Sequence, residues 1–130
     1  MNKAANETDI SMFTNMGQSC IASSRVYVHE EAYESFIEKM KVIAESKKIG
    51  DQFLDGNTGG AICKPEQFKK VLKYIELGKR EGARLVCGGK RIGTVGHFVQ
   101  PTIFADVEEH MTICKEEVNV IDTFYMKILN

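Results

Sequence analysis

At 130 residues, with 43% hydrophobic and 27% charged positions, the chain has room for one ordinary globular core. Its formal net charge of −1 gives no electrostatic footing for nucleic acid or an anionic membrane, and a chain with no Trp and four Tyr is poorly equipped to stack bases. No apolar run reaches membrane-spanning length, and the N-terminus has no signal-peptide core.

Residues 1–6 are polar and are expected to fray. Glu7 to Phe13 reads as a short helix, with polar Asn6, Glu7, Thr8 and Asp9 ahead of Ile10, Met12 and Phe13. Gly17 then frees the backbone to turn. Residues 25–29, Arg-Val-Tyr-Val-His, alternate and are β-branched or aromatic, the pattern of a strand. The clearest helix runs from Glu30 to Lys48. Tyr33, Phe36, Ile37, Met40, Ile43 and Ala44 recur at helical spacing, Glu30, Glu31 and Glu34 stand at the positive end, Lys47 and Lys48 at the negative end, and Gly50 follows. A loop rich in Gly, Asp and Asn covers 50–63; its Gly59-Gly60 pair lacks the strand–glycine–helix register of a phosphate cradle and reads as a plain turn.

Pro65 suits the first turn of a second helix, Glu66 to Glu81, with an apolar stripe of Phe68, Val71, Leu72 and Ile75 and Gly82 as its cap. Residues 83–87 read as a strand, Gly88 to Gly96 as a loop, and Phe98 to Phe104 as an extended run that Pro101 forces to bulge or to lie at an edge. A turn carrying Asp106, Glu108 and Glu109 follows, then Thr112 to Glu117, then a strand-like apolar tail, 118–130. The order of elements fits a single α/β unit over 1–130 with a divergent tail at 118–130.

Cys20, Cys63, Cys87 and Cys114 are widely separated, as are His29, His97 and His110, so no zinc-like pairing is present and no metal site is expected. Two disulfides are possible, but a soluble, non-secreted profile favours free thiols in a reducing compartment, the cytoplasm. Of the four, Cys20 stands apart. It lies in Phe13-Thr-Asn-Met-Gly-Gln-Ser-Cys20-Ile-Ala-Ser-Ser-Arg25, among small residues that let another molecule approach the sulfur. A thiolate is a good nucleophile near neutral pH, and a thioester formed on it is readily hydrolysed.

This stretch resembles the active-site signature of the NAD(P)-dependent aldehyde dehydrogenases, through Asn15, Gly17, Gln18, Cys20, Ala22, Ser23 and Arg25. The resemblance continues in order through Gly-Lys-Arg-Glu-Gly-Ala (78–83), Phe-Val-Gln-Pro-Thr-Ile-Phe (98–104) and Thr-Ile-Cys-Lys-Glu-Glu (112–117), most of the chain. It implies the cysteine-bearing catalytic domain of that family: a three-layer-like α/β piece with a parallel-rich sheet, flanking helices and no Rossmann-type coenzyme domain. It implies Cys20 as nucleophile, with the Cys20 amide as one oxyanion donor and Asn15 as a turn residue. It makes Gln67, Lys70 and Glu117 candidates for the nicotinamide-side ribose of NAD or NADP. The implied partner is an aldehyde, oxidised to a carboxylic acid through a thiohemiacetal and a thioester on Cys20.

Two departures accompany the resemblance. The family's coenzyme domain, its general-base glutamate and its second oxyanion donor all precede the cysteine, and none of them precedes Met1. Family enzymes are homo-oligomers, and their oligomerisation segments have no counterpart here. After Glu117, Val118-Asn119-Val120 stands where the family has an aromatic residue and Gly-Pro, so Asn119 replaces a ring that packs on the nicotinamide. The expectation is a piece that is incomplete and inactive alone, with apolar helix stripes left partly uncovered. The rival expectation is a non-enzymatic remnant that serves as a binding or structural module.

Overall fold

The computed structural model describes residues 2–116 and 123–129, the second stretch as backbone together with the Met126 side chain. Helix α1 spans Asn2–Phe13 and so begins well before the expected start. Tertiary packing explains this. Ala5 is buried, and Lys39 Nζ donates to Asn2 Oδ1 at 2.6 Å, so helix α2 (Glu30–Ser46) holds the first turn in place. Strand β1 (Arg25–His29) leads directly into α2, whose first turn is capped by His29 Nδ1 accepting from the Glu31 amide. Helix α2 stops at Ser46, two residues before the sequence suggested. Lys47 instead turns into extended backbone and pairs with Asp9 of α1 at 2.8 Å.

Helix α3 spans Pro65–Glu81, with Pro65 in its first turn and Gly82 in the left-handed conformation at its end. Strand β2 (Arg84–Cys87) follows. The glycine-rich loop contains a small hairpin, β3 (Arg91–Ile92) against β4 (Phe98–Val99). The extended run anticipated over 98–104 is therefore two strands in two sheets. It divides at Gln100-Pro101, and β5 (Thr102–Ala105) joins the main sheet. The bulge falls on β2, between Leu85 and Cys87. Gly88 makes the crossing possible. Its φ is +74°, and a β-carbon built there would lie 2.1 Å from the Pro101 carbonyl oxygen. A short helix, α4 (Thr112–Lys115), and strand β6 (Thr123–Leu129) complete the order.

Among the described residues the main sheet runs β1-β6-β5-β2. β6 is parallel to both β1 and β5, with Arg25 opposite Tyr125 and Ile103 opposite Phe124, while β2 is antiparallel to β5. Helix α2 packs on β1, β2, β5 and β6; α3 packs on β2, β4 and α4. All four residues of β5 are buried, as a strand covered on both faces requires, and Phe104 meets Gly78 of α3. This is the layered, parallel-rich α/β arrangement expected. The helix stripes, however, are not left uncovered. Tyr33, Phe36, Ile37, Met40 and Ala44 of α2, and Phe68, Val71 and Ile75 of α3, are buried against the chain's own sheet and helices. The exposed large apolar side chains lie elsewhere, among them Ile10, Ile21 and Phe53.

One polar cluster ties these layers at the end of β5. The Asp106 amide donates to Tyr33 Oη at 2.7 Å, and Tyr33 Oη lies 3.0 Å from Asp106 Oδ1 and 3.2 Å from the Met126 carbonyl. Arg84 donates to Asp106 Oδ2 at 2.6 Å and to Glu34 Oε1 at 2.8 Å. The Arg84 hydrogen bond holds the Asp106 carboxyl below the usual range against the opposing effect of burial, and the Tyr33 hydroxyl adds to it. Burial pushes the Tyr33 phenol up to about 12.

Two outcomes follow from this packing. Gly88→Ala is expected to lower stability by at least about 1–2 kcal/mol from the left-handed backbone alone, seen as a lower urea midpoint. Asp106 has a lowered folded-state pKa, so its contribution is present above the unfolded carboxyl pKa of about 3.9 and is lost as pH falls through the folded value. Asp106→Asn should therefore be less stable at neutral pH and show a shallower loss of urea midpoint below about pH 4, when both proteins are titrated in parallel.

Candidate active site

The turn that carries Cys20 is built from an unusual backbone. Asn15, Met16 and Gly17 all adopt the left-handed conformation, with φ of 57°, 58° and 63°. For Met16 this is costly, and the surroundings must hold it there. Its side chain is buried against the loop after α2. The Gly60 amide donates to Met16 Sδ at 3.1 Å, and a β-carbon at Gly59 would lie 2.7 Å from Met16 Sδ and 2.4 Å from Ile49 Cδ1. Gly59 therefore admits Met16 at close range, while Gly60 gives Met16 its amide and leaves room for the Gln52 side chain.

Gln18 makes the second attachment. Its Nε2 donates to the Ala61 carbonyl at 3.4 Å and to the Asn15 carbonyl at 3.3 Å, while its Oε1 accepts from the Cys63 amide at 3.0 Å. One side-chain amide thus pairs with residues 61 and 63 much as a neighbouring strand would. A four-residue turn follows, closed by the Ala22 amide donating to the Ser19 carbonyl at 3.1 Å, with Cys20 and Ile21 at its tip. Cys20 is exposed there. Ser23 returns the loop to α1 through a 2.7 Å contact with Ser11 Oγ. An open pocket of about 410 Å³ is lined by Glu7, Ile10, Ser11, Thr14, Ser19 and Ile21, and so by the two sequence neighbours of Cys20. Ile10 and Ile21 are 65% and 83% exposed and give that pocket an apolar patch.

Gln67 and Lys70 lie on α3, three residues apart and so on one helix face. The Gln67 Nε2 atom is buried without a hydrogen-bond partner, which leaves a donor available for an acceptor such as a ribose hydroxyl. Lys70 Nζ lies 5.7 Å from the centre of the Tyr74 ring, and Tyr74 Oη donates to Glu116 Oε2. Hydrogen bonding to that carboxylate, with burial second, pushes the Tyr74 phenol up. Lys70 is thereby brought beside the end of the 112–117 motif. Glu117 itself, Asn119 and residues 118–122 lie outside the described residues. Glu81 accepts from the Thr112 amide at 2.7 Å and the Thr112 hydroxyl at 2.5 Å, fixing the start of α4 and lowering the Glu81 pKa. Arg25 Nε donates to the Cys114 carbonyl at 3.0 Å. Sequence reasoning assigned no part to Met16, Tyr74, Glu81 or the Arg25 contact, because each depends on a partner distant in sequence.

The remaining cysteines differ sharply. Cys63 is exposed like Cys20, Cys114 is half-buried, and Cys87 is buried with its thiol pushed up to about 11, chiefly by burial. Exposure alone does not single out Cys20; its place at the tip of the turn closed by Ser19 and Ala22 does. A maleimide or disulfide reagent is expected to modify Cys20 and Cys63 in the folded protein, Cys114 more slowly, and Cys87 only on unfolding, as mapped by peptide mass spectrometry. Modification of Cys87 at the rate of Cys20 would contradict this arrangement.

Comparison with known proteins adds a family context. The model of the aldehyde dehydrogenase family matches residues 1–119. A mitochondrial aldehyde dehydrogenase from Leishmania tarentolae is 47% identical over 118 residues, 91% of this chain and 24% of that protein. Among solved structures, the NAD+ complex of a Bacillus cereus aldehyde dehydrogenase superposes with a TM-score of 0.94 at 36% identity, covering 98% of this chain and 26% of that one. A Pseudomonas syringae aldehyde dehydrogenase mutant, complexed with NAD+ and octanal, superposes with a TM-score of 0.93 at 29% identity, covering 99% and 27%. The chain thus spans about a quarter of the length of the relatives it matches.

Proposed function

The chain belongs to the aldehyde dehydrogenase family, and from that premise we propose that it supplies the thiol nucleophile for oxidation of an aldehyde to a carboxylic acid. The observation that carries the proposal is Cys20, exposed at the tip of the turn that Ser19 and Ala22 close, its sequence neighbours Ser19 and Ile21 lining an open pocket. The Cys20 thiolate attacks the carbonyl carbon, and a carbon–sulfur bond forms as the carbonyl π pair moves to oxygen. The Cys20 amide is offered to that oxyanion, and a second donor comes from outside this chain. Loss of hydride from the same carbon re-forms the carbonyl and gives a thioester. Water then displaces the thiolate and releases the acid.

NAD or NADP, when bound, accepts the hydride. Gln67 would donate its unpartnered Nε2 to an acceptor on the nicotinamide-side ribose, Lys70 would stand on the same face of α3, and Glu117 would accept from the ribose hydroxyls. The apolar patch of Ile10 and Ile21 suits an aldehyde with a hydrocarbon substituent, and a solved neighbour is named as a complex with octanal. Free thiols suit a reducing compartment, and the cytoplasm is our assignment; among the described residues no helix is long and apolar enough to cross a membrane.

The test joins this chain to a frame that supplies the rest. A chimera in which residues 1–119 replace the matching segment of the Leishmania tarentolae relative is expected to form NADH from an aliphatic aldehyde, followed by absorbance. Its Cys20→Ser variant should lose at least about a thousand-fold in turnover, as removal of a nucleophile generally does. The 130-residue chain by itself should form none, because the general base that activates water is not among its proposed site residues. Full activity in the Cys20→Ser chimera would overturn the assignment. A soluble, folded but inactive chimera would favour the rival reading of a binding or structural module.

A further inference from the structure

The Arg25 side chain joins the cysteine segment to the 112–116 segment. Arg25, the first residue of β1, donates from Nε to the Cys114 carbonyl at 3.0 Å, across 89 positions of sequence. That carbonyl lies one residue before α4 ends at Lys115, so its own helix offers it no amide four residues on. Two side chains of α3 also hold the same segment by hydrogen bonds. Glu81 fixes the start of α4 through the amide and hydroxyl of Thr112, and Tyr74 holds Glu116 just beyond its end. Only the Arg25 contact, of these three, leads back to the turn that carries Cys20.

We propose that Arg25 is a positioning residue that registers the Cys20 turn against α4, so that the two move as one unit. The β1 backbone beneath it is fixed by pairing with β6, Arg25 opposite Tyr125, and the Ser23 contact with Ser11 fixes the turn's far end. The guanidinium adds α4 to these two joints, so a displacement of α4 loads the segment between Ser23 and β1 that borders the Cys20 turn. The contact is solvent-exposed. A single exposed hydrogen bond contributes little to global stability, so its loss leaves a folded protein in which the coupling can be read. For the reaction proposed above, on which this consequence rests, Arg25 sets the distance between the nucleophile and the segment that continues toward the proposed ribose ligand.

The test is a double-mutant cycle on the 130-residue chain, read by the alkylation rate of Cys20 and needing neither cofactor nor turnover. Glu81→Gln loosens α4 at the end remote from Arg25. With Arg25 present it is expected to change the Cys20 alkylation rate at least threefold. In an Arg25→Met background, which keeps the aliphatic stem and removes the donors, the same change should alter that rate by less than 1.5-fold. Arg25→Lys, which keeps a cationic donor, should restore most of the response. Thermal midpoints of the Arg25 variants should lie within a few degrees of the parent. A response to Glu81→Gln of equal size in both backgrounds, or none in either, overturns the proposal, as does failure of Lys to recover it. Because no dehydrogenase activity is measured, these outcomes stand apart from success or failure of the nucleophile assignment.

Discussion

The site depends on the thioether of Met16 resting against Gly59 and Gly60. Three consecutive left-handed residues are not a conformation that this sequence adopts by itself, least of all at a methionine. The arrangement persists because the surroundings over-determine it. Burial of Met16, a Gly60 amide directed at its sulfur, and the Gln18 amide seated on residues 61 and 63 all favour the same backbone. The loop after α2 is thus part of the scaffold of the cysteine turn, and its two glycines are explained by the space a neighbour occupies rather than by any ligand.

From that turn the architecture radiates along short covalent paths. Cys20 lies at the tip of the next turn, Arg25 opens β1, and β1 leads straight into α2. On the other side, residues 61–63 lead into α3, which presents Gln67 and Lys70 on one face and grips α4 through Tyr74 and Glu81. The segments carrying Cys20, Gln67 and Lys70, and residues 112–116 are therefore tied together by a few fixed joints. The Tyr33–Asp106–Arg84 cluster performs the same task at the end of β5, where it sets α2 against β5 and β6.

Much of this was legible in the sequence where local chemistry decides structure. The stripes from Tyr33 to Ala44 and from Phe68 to Ile75 gave both long helices, Pro65 and Gly82 gave the ends of α3, and the alternation at 25–29 gave β1. The motif around Cys20 and three later motifs gave the family, which the match over 1–119 supports. What stayed hidden was decided at long range. The first turn of α1 forms because Lys39 and the α2 surface receive it. The run over 98–104 divides between two sheets because Pro101 cannot donate to a ladder and Gly88 admits its carbonyl at close approach. The stripes of α2 and α3 are covered by strands of this same chain, including β6 from the tail, whose partners no local pattern could name.

The place of β6 has a consequence for how the molecule comes into being. Among the described residues it is the last strand in sequence but sits inside the sheet, between β1 and β5 and paired with both. During synthesis from the N-terminus, β1 meets this ladder partner only after residues 123–129 have emerged. The helices can form and collapse on one another as they appear, whereas completing the sheet demands closure of the long loop between Arg25 and Tyr125, the slowest kind of contact to make. Until that closure, β1 and β5 present open edges, and a nascent chain of this kind is a natural client for chaperones.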